Sequence, residues 1–377
     1  RMRRRRRRRC GLGWSGGLQR CREALPEPGL KVLFEAPFAV DGLVVICDIV
    51  IRHANGELWL IEVKSSTGIG GRPYVDDAAF QAWAMAQAGH APDRVFIRII
   101  DKNFIYPGQG DYRGLFRDED VSDAVRERLD RVPALLDASR RIAAGPEPQI
   151  RTGPHCNRPY ACGFITHCQR WEAERFGPPP EQPIELIGRR NTGTLSAIER
   201  QRIIDEGWTD LRQLPVGFPA DPRAQAIVRS VRENRPWVAR GLGPALRSLP
   251  YPRYHFDFET IAHAVPVWPG TSPYQQVPFQ WSCHVEHSDG RTEHHEFLDL
   301  SGDDPREACA ASLVKLIGGV GGAVVVYHQP FEAGRINELA RKLPHHAPGL
   351  RRALAKMRDL LPIVREHYYH PAQRGSY

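Results

Sequence analysis

The sequence has no apolar run approaching the ~20 consecutive residues that a membrane-spanning helix needs, although 41% of its 377 residues are hydrophobic. No apolar stretch follows the basic residues at its start, so the pattern of a secretory signal is missing and a cytoplasmic location is expected. The chain also lacks a basic body. Arg1 and Arg3 to Arg9 contribute eight of the 52 Lys and Arg residues, and the other 44 match the 44 Asp and Glu residues. The formal charge of +8 is therefore no evidence of a basic nucleic-acid-binding surface. The arginine run is either a flexible arm that neutralises phosphates or a sequence artefact, and residues 1–30 are expected to be disordered or artefactual. The eight cysteines are scattered and form no small disulfide framework. Cys47, Cys283 and Cys309 read as buried apolar residues.

What is present begins with Asp41 to Ser66, DGLVVICDIVIRHANGELWLIEVKSS. Two runs rich in β-branched residues flank His53-Ala54-Asn55-Gly56, the pattern of a β-hairpin. Side chains alternate along a strand, so Glu62 and Lys64 share one face while Trp59, Ile61 and Val63 share the other. A turn centred on Asn55 places Asp48 opposite Glu62, and directly paired residues have Cβ atoms about 4.5–5.5 Å apart. Two like charges so placed destabilise a sheet unless something positive joins them. A divalent cation with Lys64 would do so; a solvated Glu–Lys pair is the plainer alternative. Glu35, in the strand-like segment Lys31 to Val40, is either a further acid at this site or a surface carboxylate.

Tyr74 to Gly89 reads as a helix carrying Gln81, Arg94 to Ile100 as a strand, and Val121 to Ala144 as one long amphipathic helix. Cys156, Cys162 and Cys168 follow at C-x5-C-x5-C spacing in a Pro- and Gly-containing loop, which suits a metal or cluster better than a core. Residues 175–182 form a linker by composition. Residues 183–250 read as a mainly helical connector, either bland or gripping a DNA backbone through two short helices joined at Gly207.

A second acidic stretch is Tyr254 to Thr260, YHFDFET. Asp257 and Glu259 are two apart in an aromatic-rich strand and point the same way. A buried strand, Ala323 to Tyr327, leads into His328-Gln329-Pro330-Phe331-Glu332. Asp359 reads as part of a later helical stretch, close after Glu332.

Asp48…Glu62-Val63-Lys64 followed by helical Gln81 resembles the active site of the PD-(D/E)XK nucleases, particularly the RecB-type branch, whose helix carries Q-x-x-x-Y; Met85 stands at the tyrosine position. Some members of that branch hold an iron–sulfur cluster with three late cysteines and one early one, which implies Cys156, Cys162 and Cys168 here, with Cys10 or Cys21 as the upstream candidates. His155 or His167 would complete a zinc site instead. D-F-E-T resembles the first motif of DEDD (DnaQ-like) exonucleases, and H-Q-P-F-E their N-x-x-F-D motif with two replacements. The order of these features resembles a bacterial domain-of-unknown-function family that fuses the two nuclease types.

The resemblance implies an α/β protein. Its parts are a PD-(D/E)XK (restriction-endonuclease-like) domain over 31–150, a cysteine segment and linker over 151–182, a helical connector over 183–250, and an RNase H-like domain over 251–377. The last domain is expected to be incomplete at its end, the chain being a fragment. The implied activity is metal-dependent hydrolysis of phosphodiester bonds in DNA, with RNA not excluded. Asp48 and Glu62 would bind Mg²⁺ or Mn²⁺ with the Val63 carbonyl, Lys64 would orient water, and Gln81 would position the lysine or the strand. Asp257, Glu259 and Glu332 would form a second, exonucleolytic metal site. The alternative is a non-catalytic nucleic-acid-binding or structural module with a metal or iron–sulfur cluster.

Overall fold

The computed structural model describes residues 8–9, 25, 29–71, 73–188, 192–319 and 321–376. It is a mixed α/β structure in two units: residues 1–172 with 263–274, and residues 173–262 with 275–377.

In the first unit, β2 (Lys31–Val40), β3 (Leu43–Arg52) and β4 (Leu58–Val63) form an antiparallel meander. Asp41 and Gly42 join β2 to β3, both at positive φ, 47° and 79°, as a two-residue hairpin of right-twisted strands requires. Helix α1 (Tyr74–Gln87) then carries the chain to β5 (Arg94–Ile100), parallel to β4, and β6 (Phe116–Asp120) pairs antiparallel with β5. The sheet order from β2 to β6 is sequential. Small side chains on α1, Ala78, Ala79 and Ala82, let the helix settle on the sheet beside Cys47, Val50, Leu60 and Ile97. The first strand, β1 (Arg8–Arg9), pairs in parallel with β2. A sheet edge offers backbone groups to any sequence.

The expected helix from Val121 to Ala144 is two helices, α2 (Ser122–Leu129) and α3 (Val132–Ala144). Pro133, which lacks an N–H and clashes with the preceding turn, fits only the first turn of a new helix. Helix α4 (Ile165–Phe176) carries Cys168, which corrects the expectation of a loop for all three cysteines; Cys156 and Cys162 precede it.

The second unit opens with α5 (Ala197–Asp205), begun by a Ser196–Glu199 capping box, and α6 (Pro222–Glu233), capped by Asp221. The second short helix expected directly after Gly207 is instead a 3₁₀ turn, Leu211–Gln213, capped by Asp210. Buried Leu211, Leu214, Ile227 and Tyr369 hold this region together. A two-stranded ribbon joins β7 (Trp237–Val238) to β13 (Tyr368–Tyr369), and α7 (Leu242–Arg247) leads to the main sheet.

The main sheet has the order β10-β9-β8-β11-β12. Strands β8 (Arg253–Ile261), β9 (Val277–Glu286) and β10 (Thr292–Leu298) form an antiparallel meander. After α8 (Arg306–Ile317), strand β11 (Ala323–Val326) runs parallel to β8. Helices α9 (Pro330–Lys342) and α10 (Ala347–Ala355) then lead to β12 (Met357–Asp359), parallel to β11, and α11 (Leu360–His367). Phe256 and Phe258 of β8 turn into the core with Trp281, Leu313 and Val326, so Asp257 and Glu259, which alternate with them, face outward and are exposed. Among the described residues no helix is long and apolar enough to cross a membrane.

Candidate functional site

The β3–β4 ladder pairs Ile49 with Ile61 and Val50 with Leu60, so the same register sets Asp48 level with Glu62. Asp48 Oδ2 accepts a hydrogen bond from the Val63 N–H at 2.7 Å. Glu62 is only 6% exposed, and both of its oxygens are engaged. Oε1 accepts from Lys64 Nζ at 2.6 Å, and Oε2 from Gln81 Nε2 at 2.8 Å. Lys64 Nζ also donates to Asp77 Oδ2 at 2.5 Å and lies 5.4 Å from the centroid of the Tyr74 ring. The hairpin thus brings Asp48, Glu62 and Lys64 together, and the first turns of α1 add Asp77 and Gln81.

Burial pushes the Glu62 carboxyl above its ordinary range and the Asp48 charge adds to this, outweighing the hydrogen bonds from Lys64 and Gln81. Burial pulls the Lys64 ammonium down, yet hydrogen bonds to Asp77 and Glu62 outweigh it and hold the group above its ordinary value. Lys64 is therefore charged at neutral pH. Two carboxylates, Glu62 and Asp77, flank the one ammonium, and Asp48 acts on Glu62; the all-oxygen donor set of these acids suits Mg²⁺ or Mn²⁺. Glu35 is exposed, at φ 51°, where the β2–β3 ladder skips from Phe34 to Ala36. This places it level with Asp48. Beside Lys64, Ser65 Oγ lies 2.8 Å from the hydroxyl of Tyr274, which belongs to the same unit.

The second acidic set lies where β11 and β12 end, beside the middle of β8. The ladders place Val326 level with Asp359 and Val325 level with His255, so Asp257 stands one step beyond the last β11 residues. Glu332, in the first turn of α9, is 3% exposed and its Oε2 finds no hydrogen-bond partner among the described residues. Burial, then the Asp257 and Asp359 carboxylates, push its pKa up to about 7. A buried carboxyl that shares a hydrogen bond with Asp257, keeps one oxygen unpartnered and feels two neighbouring carboxylates fits a cation better than a solvated edge. Glu259 shares the outward side of β8 with Asp257. Asp359 lies in a strand and caps α11, correcting the expected helical placement. Its Oδ1 accepts from the N–H groups of His328 and Leu361, both at 2.9 Å, and its Oδ2 from that of Gln329 at 3.0 Å. His328 reaches this geometry at φ 73°, the left-handed region that few non-glycine residues adopt.

Cys156 is buried in a 3₁₀ turn, and Cys162 and Cys168 are half-buried. The Cys162 N–H donates to the Cys156 carbonyl at 2.7 Å. Burial first, then the Cys156 and Cys162 thiols, push the Cys168 thiol above its ordinary value. An apolar cavity of about 580 Å³, lined in part by Ile142, Ile150, Phe164 and Cys168, lies beside them. His167 is engaged with Glu147 at 2.5 Å. Cys10 and Cys21 lie outside the described residues.

The sequence reading assigned neither Asp77 nor Asp359 to a site. The position of Asp77 in the first turn of the helix after E-x-K was the available signal for the former. The latter is visible only once β12 is seen to pair with β11.

Residues 254–377 match the family model described as "Domain of unknown function (DUF2779)". The match spans β8 to the end of the chain and so includes Asp257, Glu259, Glu332 and Asp359. No curated protein and no solved structure matches the chain.

Proposed function

We propose that this chain is a metal-dependent nuclease that hydrolyses phosphodiester bonds in DNA, with its principal site at Asp48, Glu62 and Lys64. The observation that carries this reading is the placement of Lys64 Nζ, bonded to Glu62 and Asp77 on a hairpin whose neighbouring strand sets Asp48 level with Glu62. On this reading the first unit is PD-(D/E)XK-like. The second is RNase H-like, and its meander followed by two parallel strands is in keeping with that arrangement.

Asp48 and Glu62, with the Val63 carbonyl, would hold Mg²⁺ or Mn²⁺. When bound, such an ion supplies positive charge to a phosphate and acidifies a water. Asp48 is held by the Val63 N–H through Oδ2, which leaves Oδ1 to a cation. Gln81 fixes the Glu62 carboxylate through Oε2. Lys64 keeps its proton and offsets charge that develops on the phosphate oxygens. Asp257, Glu259 and Glu332, joined by Asp359, would form a second divalent-ion site for exonucleolytic trimming. Cys156, Cys162 and Cys168 would hold an iron–sulfur cluster, or zinc as the alternative.

The test is cleavage of end-labelled DNA with and without Mg²⁺ by the parent chain, Lys64→Ala and Glu62→Ala. Metal-dependent cleavage lost in both variants is expected. Undiminished cleavage in both would overturn the assignment of the site.

A further inference from the structure

Glu307 stands in the first turn of α8, and His345 and His346 form the turn that precedes α10. The Nε2 atoms of both histidines lie 2.8 Å from a single oxygen, Glu307 Oε1. Their ring centroids are 4.2 Å apart with planes inclined at 46°. One donor atom from each of the three residues lies within 4.8 Å of the others. Two consecutive histidines must fold back on one another to aim the same ring nitrogen at one point. A simple ion pair with Glu307 would need only one of them.

We propose that Glu307, His345 and His346 form a zinc-binding site, separate from the carboxylate sites and independent of the nuclease reading. Two imidazole nitrogens and one carboxylate oxygen form a borderline donor set that suits Zn²⁺ and is foreign to Mg²⁺, which takes oxygen ligands. Three protein ligands leave the fourth tetrahedral position to water. The ion would tie the start of α8 to the start of α10. These helices already approach closely, since a Cβ added at Gly349 of α10 would stand 2.5 Å from Val314 Cγ1 of α8. The zinc would act as a clip at the end of that contact, and zinc availability would set how firmly this helix pair is closed.

The experiment uses the full chain, stripped with chelator, equilibrated with Zn²⁺ and freed of excess ion, with bound zinc counted by mass spectrometry. The comparison is with His345→Ala, His346→Ala and Glu307→Gln, each checked for folding by circular dichroism. His345 and Glu307 side chains are 60% and 57% exposed, so their variants are expected to fold even if His346→Ala does not. Each folded variant should bind one zinc fewer per chain than the parent. Zinc should raise the melting temperature of the parent and not that of the variants. With Co²⁺ as probe in a Cys156→Ser/Cys162→Ser/Cys168→Ser background, a visible spectrum without a thiolate charge-transfer band should appear and vanish on His345→Ala. Equal zinc content in the parent and the folded variants, or no Co²⁺ spectrum in that background, would overturn the site.

Discussion

Lys64 Nζ is held between Glu62 Oε1 and Asp77 Oδ2, at 2.6 and 2.5 Å. The lysine is thus fixed from the strand by one carboxylate and from the helix by another. Asp77 is about half exposed and Glu62 is buried, so the two contacts are not equivalent. Coulombic attraction at the exposed end is screened by water and salt, while the buried end fixes the position of the ammonium. We expect Lys64→Ala to lower metal-dependent DNA cleavage by about 10²–10³-fold, the usual effect of removing one positioned charge-stabilising donor. Asp77→Asn should lower it by about tenfold or less, with a smaller loss at high salt, where the exposed contact is already screened in the parent. Steady-state cleavage rates at two ionic strengths check both; equal losses for the two variants would show that Asp77 is as essential as the lysine.

Gln81 does structural work that can be separated from chemistry. It is 5% exposed, and its Nε2 is the partner of Glu62 Oε2. Gln81→Leu would leave a buried carboxylate oxygen without a donor, which costs about 1–3 kcal/mol. Urea denaturation should show that loss, and Gln81→Glu should be worse still, because it sets a second carboxylate against a buried one. Should Gln81→Leu be as stable as the parent, the interaction with Glu62 would be of little consequence.

The Glu332 carboxyl makes the metal-free protein sensitive to pH. Its pKa rises from 4.5 to about 7 on folding. Below pH 4.5 both folded and unfolded chains carry the proton, and the contribution to stability is whole. As pH rises towards 7 the unfolded chain releases the proton while the folded chain keeps it, so stability falls, by roughly 3 kcal/mol in all. In the presence of chelator, unfolding free energy should drop between pH 5 and pH 8, and Glu332→Gln should flatten that drop. Mg²⁺ should recover part of it at pH 8. A parent and a Glu332→Gln variant with the same pH profile would contradict this account.

The hairpin site was legible in the sequence because its information is local. Alternation fixes which face Glu62 and Lys64 share, and a turn centred on Asn55 fixes what stands opposite. Gln81 was legible because a helix follows directly. Asp77 needed the crossing of α1 over the sheet, which only packing determines. The break at Pro133 was visible as a proline but masked by apolar periodicity on both sides of it. Strand β12 has three residues, too few for any period, and it exists through its pairing with β11. The pairing of Glu307 with the two histidines spans about 38 residues and has no local signature.

Asp359 combines two roles that two substitutions can separate. Its carboxylate accepts three backbone N–H groups, from His328, Gln329 and Leu361, and so ties the turn before α9 to the start of α11. It also stands close enough to Glu332 to raise its pKa. Asn keeps one oxygen and remains a good helix cap, whereas Ala loses both. Asp359→Asn should therefore retain most of the stability, within about 1 kcal/mol, while Asp359→Ala should lose about 2 kcal/mol through the lost cap and the unsatisfied N–H groups. Both remove the charge, so both should weaken divalent-ion binding at Asp257 and Glu332 to a similar degree, by about tenfold. Denaturation measurements paired with Mn²⁺ titration distinguish these effects. If Asp359→Asn binds Mn²⁺ as the parent does, the aspartate serves only as the cap, and the second acidic set is confined to Asp257, Glu259 and Glu332.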